Sequence, residues 1–293
     1  MLPWRMRFLV LLLALLAGDA SAQSPSKTFL WTVEGQGGAT AFLVGSIHVL
    51  SADSYPLPAP IEKAFAESRT LVEEIDLDEM NDPMQMMAAL AKAMLTDGRT
   101  LDQLIAAETY AEVKKRADSY GLPMMALQRM KPWLVAVTLM GPTLQSAGFK
   151  PELGVDRYFF DRAKEKGLKR QALETLAYQL DRFDQLSPKL QEEMLKATLE
   201  DLDAQMTGVK EMVDAWKKGD TAMLEKLTLG SFDEFPELYQ RLLLERNQNW
   251  VPHVEKCLAE KAGCFVVVGA AHLVGKDGLP TLLAKKGFKV IQQ

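Results

Sequence analysis

His48 closes the run Gly45-Ser46-Ile47-His48, and His272 closes Gly269-Ala270-Ala271-His272, near the opposite end of the chain. Each frame follows a short apolar stretch, Ala41–Val44 in the first case and Phe265–Val268 in the second. A buried strand, a tight glycine exit and an imidazole beyond the strand's carboxyl end is how an α/β sheet presents reactive groups. Glu73, Glu74 and Asp76 end a third apolar stretch. Alternation along a strand sends Glu73 and Glu74 to opposite faces, so one of them can face a site lined by His48. Two imidazoles and a carboxylate suit a catalytic divalent metal with open positions, and the carboxylate also suits a general base toward bound water. Arg246 and Asn247, in Glu245-Arg246-Asn247-Gln248-Asn249-Trp250, add a group able to clamp a substrate carboxylate or an oxyanion. Glu174 ends a fourth strand, Gln179 follows just over one helical turn later, and Asp156, behind Gly154, reads as a helix cap. Met80, Met84, Met86, Met87 and Met94 have the helical spacing of a flexible apolar face, which competes with a thioether copper site.

The elements that must position these groups follow from periodicity. Thr28–Val33 and Thr40–Val44 read as strands around a glycine-rich hairpin turn, and Ala59–Ser68 as a helix with proline in its first turn. Thr70–Ile75 is a third strand and Lys169–Leu173 a fourth, separated by a long helical stretch. A second helical block, ending in Pro236–Ala262, leads to the strand Cys264–Val268, the helix Gly278–Lys286 and the strand Phe288–Ile291. The last three form a β-α-β unit, which predicts parallel, right-handed pairing. The expected fold class is α/β, α+β-like: a mixed, largely parallel central sheet split by two long helical insertions, helix-rich overall. No linker rich in Pro, Gly or Ser divides the chain, so residues 23–293 are expected to form one domain.

The 293 residues are 48% hydrophobic and 25% charged, with a net charge of -5 and no basic stripe, which argues against nucleic acid as a partner. Arg5 and Arg7, the apolar run Phe8–Leu16 and Ala20-Ser21-Ala22 have the three parts of a secretory signal, with cleavage expected after Ala22. The mature protein is therefore expected to be exported, periplasmic or secreted, with no integral membrane segment after cleavage. Cys257 and Cys264 would then meet an oxidising compartment, either bonded across a short loop or as two free buried thiols. The chain has no Gly-x-Ser-x-Gly elbow, P-loop, dinucleotide fingerprint or His-Glu-x-x-His.

An ordered set of these markers resembles the TraB/GumN family, which is related to the TIKI metalloproteases. The set comprises Phe42–His48, Leu71–Asp76, Lys131-Pro132-Trp133, Gly154-Val155-Asp156, Leu173-Glu174-Thr175 with Gln179, Arg246-Asn247 with Trp250, and Val268–Gly275. It runs through nearly all of the mature chain. The resemblance implies a fold like the erythromycin-esterase and ChaN-like superfamily, and a site of His48, Glu74 and His272 with Arg246 and Asn247 beside it. It singles out Glu74 of the two adjacent glutamates. It implies a metal-dependent hydrolase of peptides or other small substrates, using manganese, cobalt or zinc. The alternatives it carries are a non-catalytic binder of peptide, haem or metal, and an accessory protein in envelope polysaccharide biosynthesis.

Overall fold

The computed structural model describes residues 27–201 and 205–293; the expected signal peptide, residues 1–22, lies outside them. The strands are β1 Leu30–Glu34, β2 Thr40–Ser46, β3 Thr70–Glu73, β4 Lys169–Ala172, β5 Cys264–Gly269 and β6 Lys289–Gln292. They form one six-stranded sheet in the order β4-β3-β5-β2-β1-β6. β4, β3, β5 and β2 are mutually parallel, and β1 pairs antiparallel with both β2 and β6. The fold is therefore α/β with a largely parallel mixed sheet, as the element order predicts.

β5 lies at the centre and reads as a continuous apolar run, Phe265-Val266-Val267-Val268, because both of its faces are covered. The sheet core continues into Leu43, Val44, Leu71, Phe65, Phe159 and Trp250. The two helical insertions leave the sheet after β3 and after β4. They pack on each other through Pro132–Ser146 and Pro188–Asp201, around a second apolar cluster that includes Leu101, Val135, Leu139 and Leu195. The first of these helices passes through Pro142, with Leu139 and Thr143 buried on either side.

Two expectations change. The final β-α-β unit does not make a parallel pair. β6 skips past β5 and β2 to add antiparallel to β1 at the sheet edge, where Lys289 and Glu34 pair across exposed positions. Its half-exposed alternation fits an edge place, whereas the centre beside β5 is taken by the largely buried β2 and the fully buried β3. β3 also ends at Glu73, not Ile75, and the chain bends through Glu74 and Ile75. Strict alternation therefore does not apply to Glu73 and Glu74, and both line the same cavity.

The glycine exits work by close approach. A Cβ at Gly45 would lie 2.4 Å from the ring of the fully buried Phe29. The buried Trp216 then donates its indole N–H to the Gly45 carbonyl at 2.6 Å, which ties down the turn leading to His48. Cys257 and Cys264 form a disulfide across a separation of seven residues, joining the helix Glu245–Ala259 to the start of β5. Replacing both cysteines by serine is expected to cost about 2–3 kcal/mol in the chain-entropy picture. The check is the urea unfolding midpoint, and a midpoint that ignores both the substitution and reductant would refute it.

Candidate functional site

Because β2, β3, β4 and β5 run parallel, the residues beyond their carboxyl ends meet at one edge. β2 delivers His48, β3 delivers Glu74, β4 delivers Glu174 and β5 delivers His272. Gly269 sits where they converge. A Cβ there would lie 3.2 Å from Glu74 Oε1, 3.2 Å from His48 Nε2 and 3.5 Å from the His272 ring. A side chain there would press on Glu74 and His48, so glycine lets the three groups approach most closely. The two matching histidine frames therefore do meet.

Arg246 organises the buried half of the site. Its Nη2 donates to Glu74 Oε2 and, at 2.7 Å, to Glu174 Oε1. Its Nε donates to Glu174 at 3.0 Å, and its Nη1 donates to the Leu242 carbonyl at 3.1 Å and to His272 Nε2 at 3.0 Å. Every N–H of the guanidinium is engaged inside the protein, so Arg246 has no donor left for a substrate. Trp250 lies under the guanidinium at 4.6 Å and donates its indole N–H to Glu174 at 3.1 Å. A π-helical turn, Gln240–Leu244, immediately precedes Glu245–Ala259. Such a turn shifts the register of the helix after it, and here Arg246 is the second residue of the shifted segment.

Asn247 fixes His272. Its Oδ1 accepts from His272 Nδ1 at 2.7 Å, while its Nδ2 donates to the Asp277 carbonyl at 2.8 Å. With Nδ1 donating and Nε2 accepting from Arg246, His272 is held as one neutral tautomer. Burial and the nearby guanidinium push its pKa down to about 3. Glu74 is the reverse case. Burial alone would raise its pKa, but Arg246, the two histidines and the Gly269 N–H at 2.6 Å hold the carboxyl well below the usual range. Gln179 donates to its second oxygen at 2.9 Å.

His48 is unlike His272. Its side chain is 60% exposed, and its Nδ1 lies 3.3 Å from Asp156 Oδ1. Ser46 donates its hydroxyl to the same carboxylate oxygen at 2.6 Å. Desolvation opposes the charged imidazole, yet Asp156 and then Glu74 outweigh it and lift the pKa to about 9. Water around so open a ring weakens that pull. Asp156, expected as a helix cap, instead orients His48 from the first turn of Val155–Glu165. Close packing of Gly154 against the His48 carbonyl holds that turn in place, since a Cβ at Gly154 would lie 2.4 Å from this oxygen.

His48, Ser46, Asp156, Glu73, Glu74 and Gln179 line a cavity of about 550 Å³. Met80 joins its apolar wall, and Met84 and Met87 lie exposed nearby in chain order, so part of the methionine face borders the cavity. Residue patterning alone does not reveal the roles of Ser46, Asp156 and Glu73. The Ser46 and Asp156 signals are the serine inside the first Gly-x-x-His and the Gly-x-Asp of the next helix. Glu73 is visible only once β3 is known to end there.

A divalent ion shared by His48, His272 and Glu74 needs free lone pairs on all three. His272 Nε2 and both Glu74 oxygens already accept from N–H donors, and a guanidinium stands beside them. As arranged, the three residues do not fit a divalent metal without displacement of Arg246. Among the described residues, no group of three or more His, Cys, Asp or Glu side chains is placed to hold a metal ion.

The model of the TraB/PrgY/gumN family matches residues 29–292, and the chain is a member of that family. It is 25% identical to the uncharacterized protein YbaP of Shigella flexneri over 248 residues, 84% of this chain and 89% of that protein. It is 26% identical to uncharacterized protein YbaP of Escherichia coli K12 over 242 residues, 82% and 86% of the two chains. No solved structure gives a significant match.

Two predictions follow from the charges. Arg246→Ala strands two buried carboxylates and is expected to cost about 3–5 kcal/mol, read as a loss in urea midpoint. A change below about 1 kcal/mol would refute the role given to Arg246. Glu73 is buried beside Asp156 and Asp76, and burial first, then those charges, lift its pKa from 4.5 to about 9. The folded chain therefore keeps a proton that the unfolded chain releases. Stability from this group is full below about pH 4.5 and lost as the pH climbs toward about 9. Glu73→Gln is expected to flatten that decline, and an unchanged slope of stability against pH across this window would refute it.

Proposed function

We propose that this protein is an exported hydrolase acting on peptides or similar small acyl substrates in the cavity beside His48. The observation that carries the reading is the His48 ring itself. It is open to the cavity, tied through Nδ1 to Asp156, and has Nε2 directed to the point at Gly269 where the buried network ends. In its deprotonated form, which a pKa lifted to about 9 favours on the alkaline side, the His48 ring can take a proton from a water at Nε2 as that water attacks the acyl carbon. The Asp156 carboxylate holds the tautomer and offsets the imidazolium that forms. The same proton then goes from Nε2 to the departing nitrogen or oxygen as its bond to the acyl carbon breaks. Arg246, Asn247, Glu174 and His272 act as positioning residues that hold Glu74 and Gly269 in place.

Export is supported by the charged and apolar pattern of the first 22 residues and by the Cys257–Cys264 disulfide. Among the described residues, no helix is long and apolar enough to cross a membrane.

A second reading has manganese, cobalt or zinc held by His48, His272 and Glu74, and the convergence of all three at Gly269 favours it. It requires Arg246 to give up His272 Nε2. A screen of the mature protein against a peptide library, with and without chelator, tests both readings. Turnover that survives chelation and falls by about 10²–10⁴ in His48→Ala, with the fold intact by circular dichroism, is the expected result. Turnover abolished by chelator and restored by manganese would favour the metal reading. A folded, fully active His48→Ala/His272→Ala variant would refute both, and ligand retention without turnover would indicate a binder.

A further inference from the structure

Among the described residues lining the cavity, one buried polar side chain has no partner. Glu73 is 4% exposed, and its Oε1 is buried without a hydrogen bond. The other carboxyls that share the cavity's buried part are answered. Glu74 accepts from Arg246, Gln179 and Gly269, and Asp156 accepts from Ser46 and pairs with His48. Asp161 accepts from Arg157 Nε at 2.9 Å. Five carboxyl groups line the cavity, the exposed Glu152 among them; the side chains of His48 and Arg157 face them and Arg246 answers Glu74 from behind. The wall beside Glu73 is apolar, built from Ile75, Val267 and Val268. Such a place suits a ligand group that brings N–H donors and positive charge on an apolar stem.

We propose that the Glu73 end of the cavity is a subsite for a cationic substrate group, an alkylammonium or amidinium borne on a short apolar stem. The unsatisfied Oε1 would accept its N–H, the surplus of carboxylates would favour its charge, and the apolar wall would cover its stem. A neutral donor could also bond Oε1, but only a cationic one favours ionisation of the Glu73 carboxyl as it binds, so Glu73 itself selects the cation. This assignment rests on reading the cavity as a substrate pocket. It makes Glu73 a specificity residue rather than part of the proton transfer at His48.

The test is binding, not turnover, so it can fail or succeed independently of the hydrolase reading. Benzamidine and its neutral isostere benzamide are titrated into the full mature protein by calorimetry. Benzamidine is expected to bind at least about tenfold more tightly, and that preference is expected to vanish in Glu73→Gln and to persist in His48→Ala. Equal binding of the two probes to the unsubstituted protein, or no binding of either, overturns the proposal with no variant required. A preference that survives in folded Glu73→Gln also overturns it.

Discussion

Two carboxylates can be buried side by side at the edge of this sheet because one guanidinium lies between them. Glu74 and Glu174 arrive from neighbouring parallel strands, and Arg246 reaches both while also donating to His272. Placing such charges away from water is costly, and the cost is offset only when geometry and hydrogen bonds are complete. Here they are complete: both Glu74 oxygens, both Glu174 oxygens and all the arginine N–H groups have partners. The position of Gly269, the His272 tautomer and the floor of the cavity all depend on that saturation.

The network separates two histidines that look equivalent in their local frames. His272 is walled in by Trp250, Asn247 and Arg246 and is held neutral. His48 faces the cavity and an aspartate, and is pushed toward the cation. The same four-residue motif thus ends in opposite protonation tendencies, and the difference comes from elements remote in sequence. Family membership does not choose between chemistries, since a fold hosts many activities and the matched relatives are themselves uncharacterized.

Strand exits were legible because they are local. An apolar run, a glycine and then a histidine can be read directly, and the parallel strands place His48, Glu74 and His272 together as that pattern implies. Three things were not legible, each for a physical reason. Arg246 reads as a substrate clamp until its hydrogen bonds to Glu74, Glu174, His272 and the Leu242 carbonyl show that its donors are used. Alternation left room for only one of Glu73 and Glu74 at the site and the resemblance pointed to Glu74, but alternation holds only inside a strand, and β3 stops at Glu73 itself. The edge place of β6 depends on which strands are buried on both faces, a property of the assembled sheet rather than of any segment.

The site also draws on nearly the full span of the described chain. Ser46 and His48 come from one end, Glu73 and Glu74 from the next strand, Asp156 from the close of the first insertion, and Arg246 to His272 from the other end. Closing such distant contacts is entropically slow, and the last of them waits for β5 to enter between β2 and β3. A chain emerging amino end first therefore lacks Gly269, His272 and their contacts with Glu74 and Arg246 until β5 is added. Truncation before β5 removes the strand that joins the two halves of the sheet, so the chemistry and the finished fold must appear together.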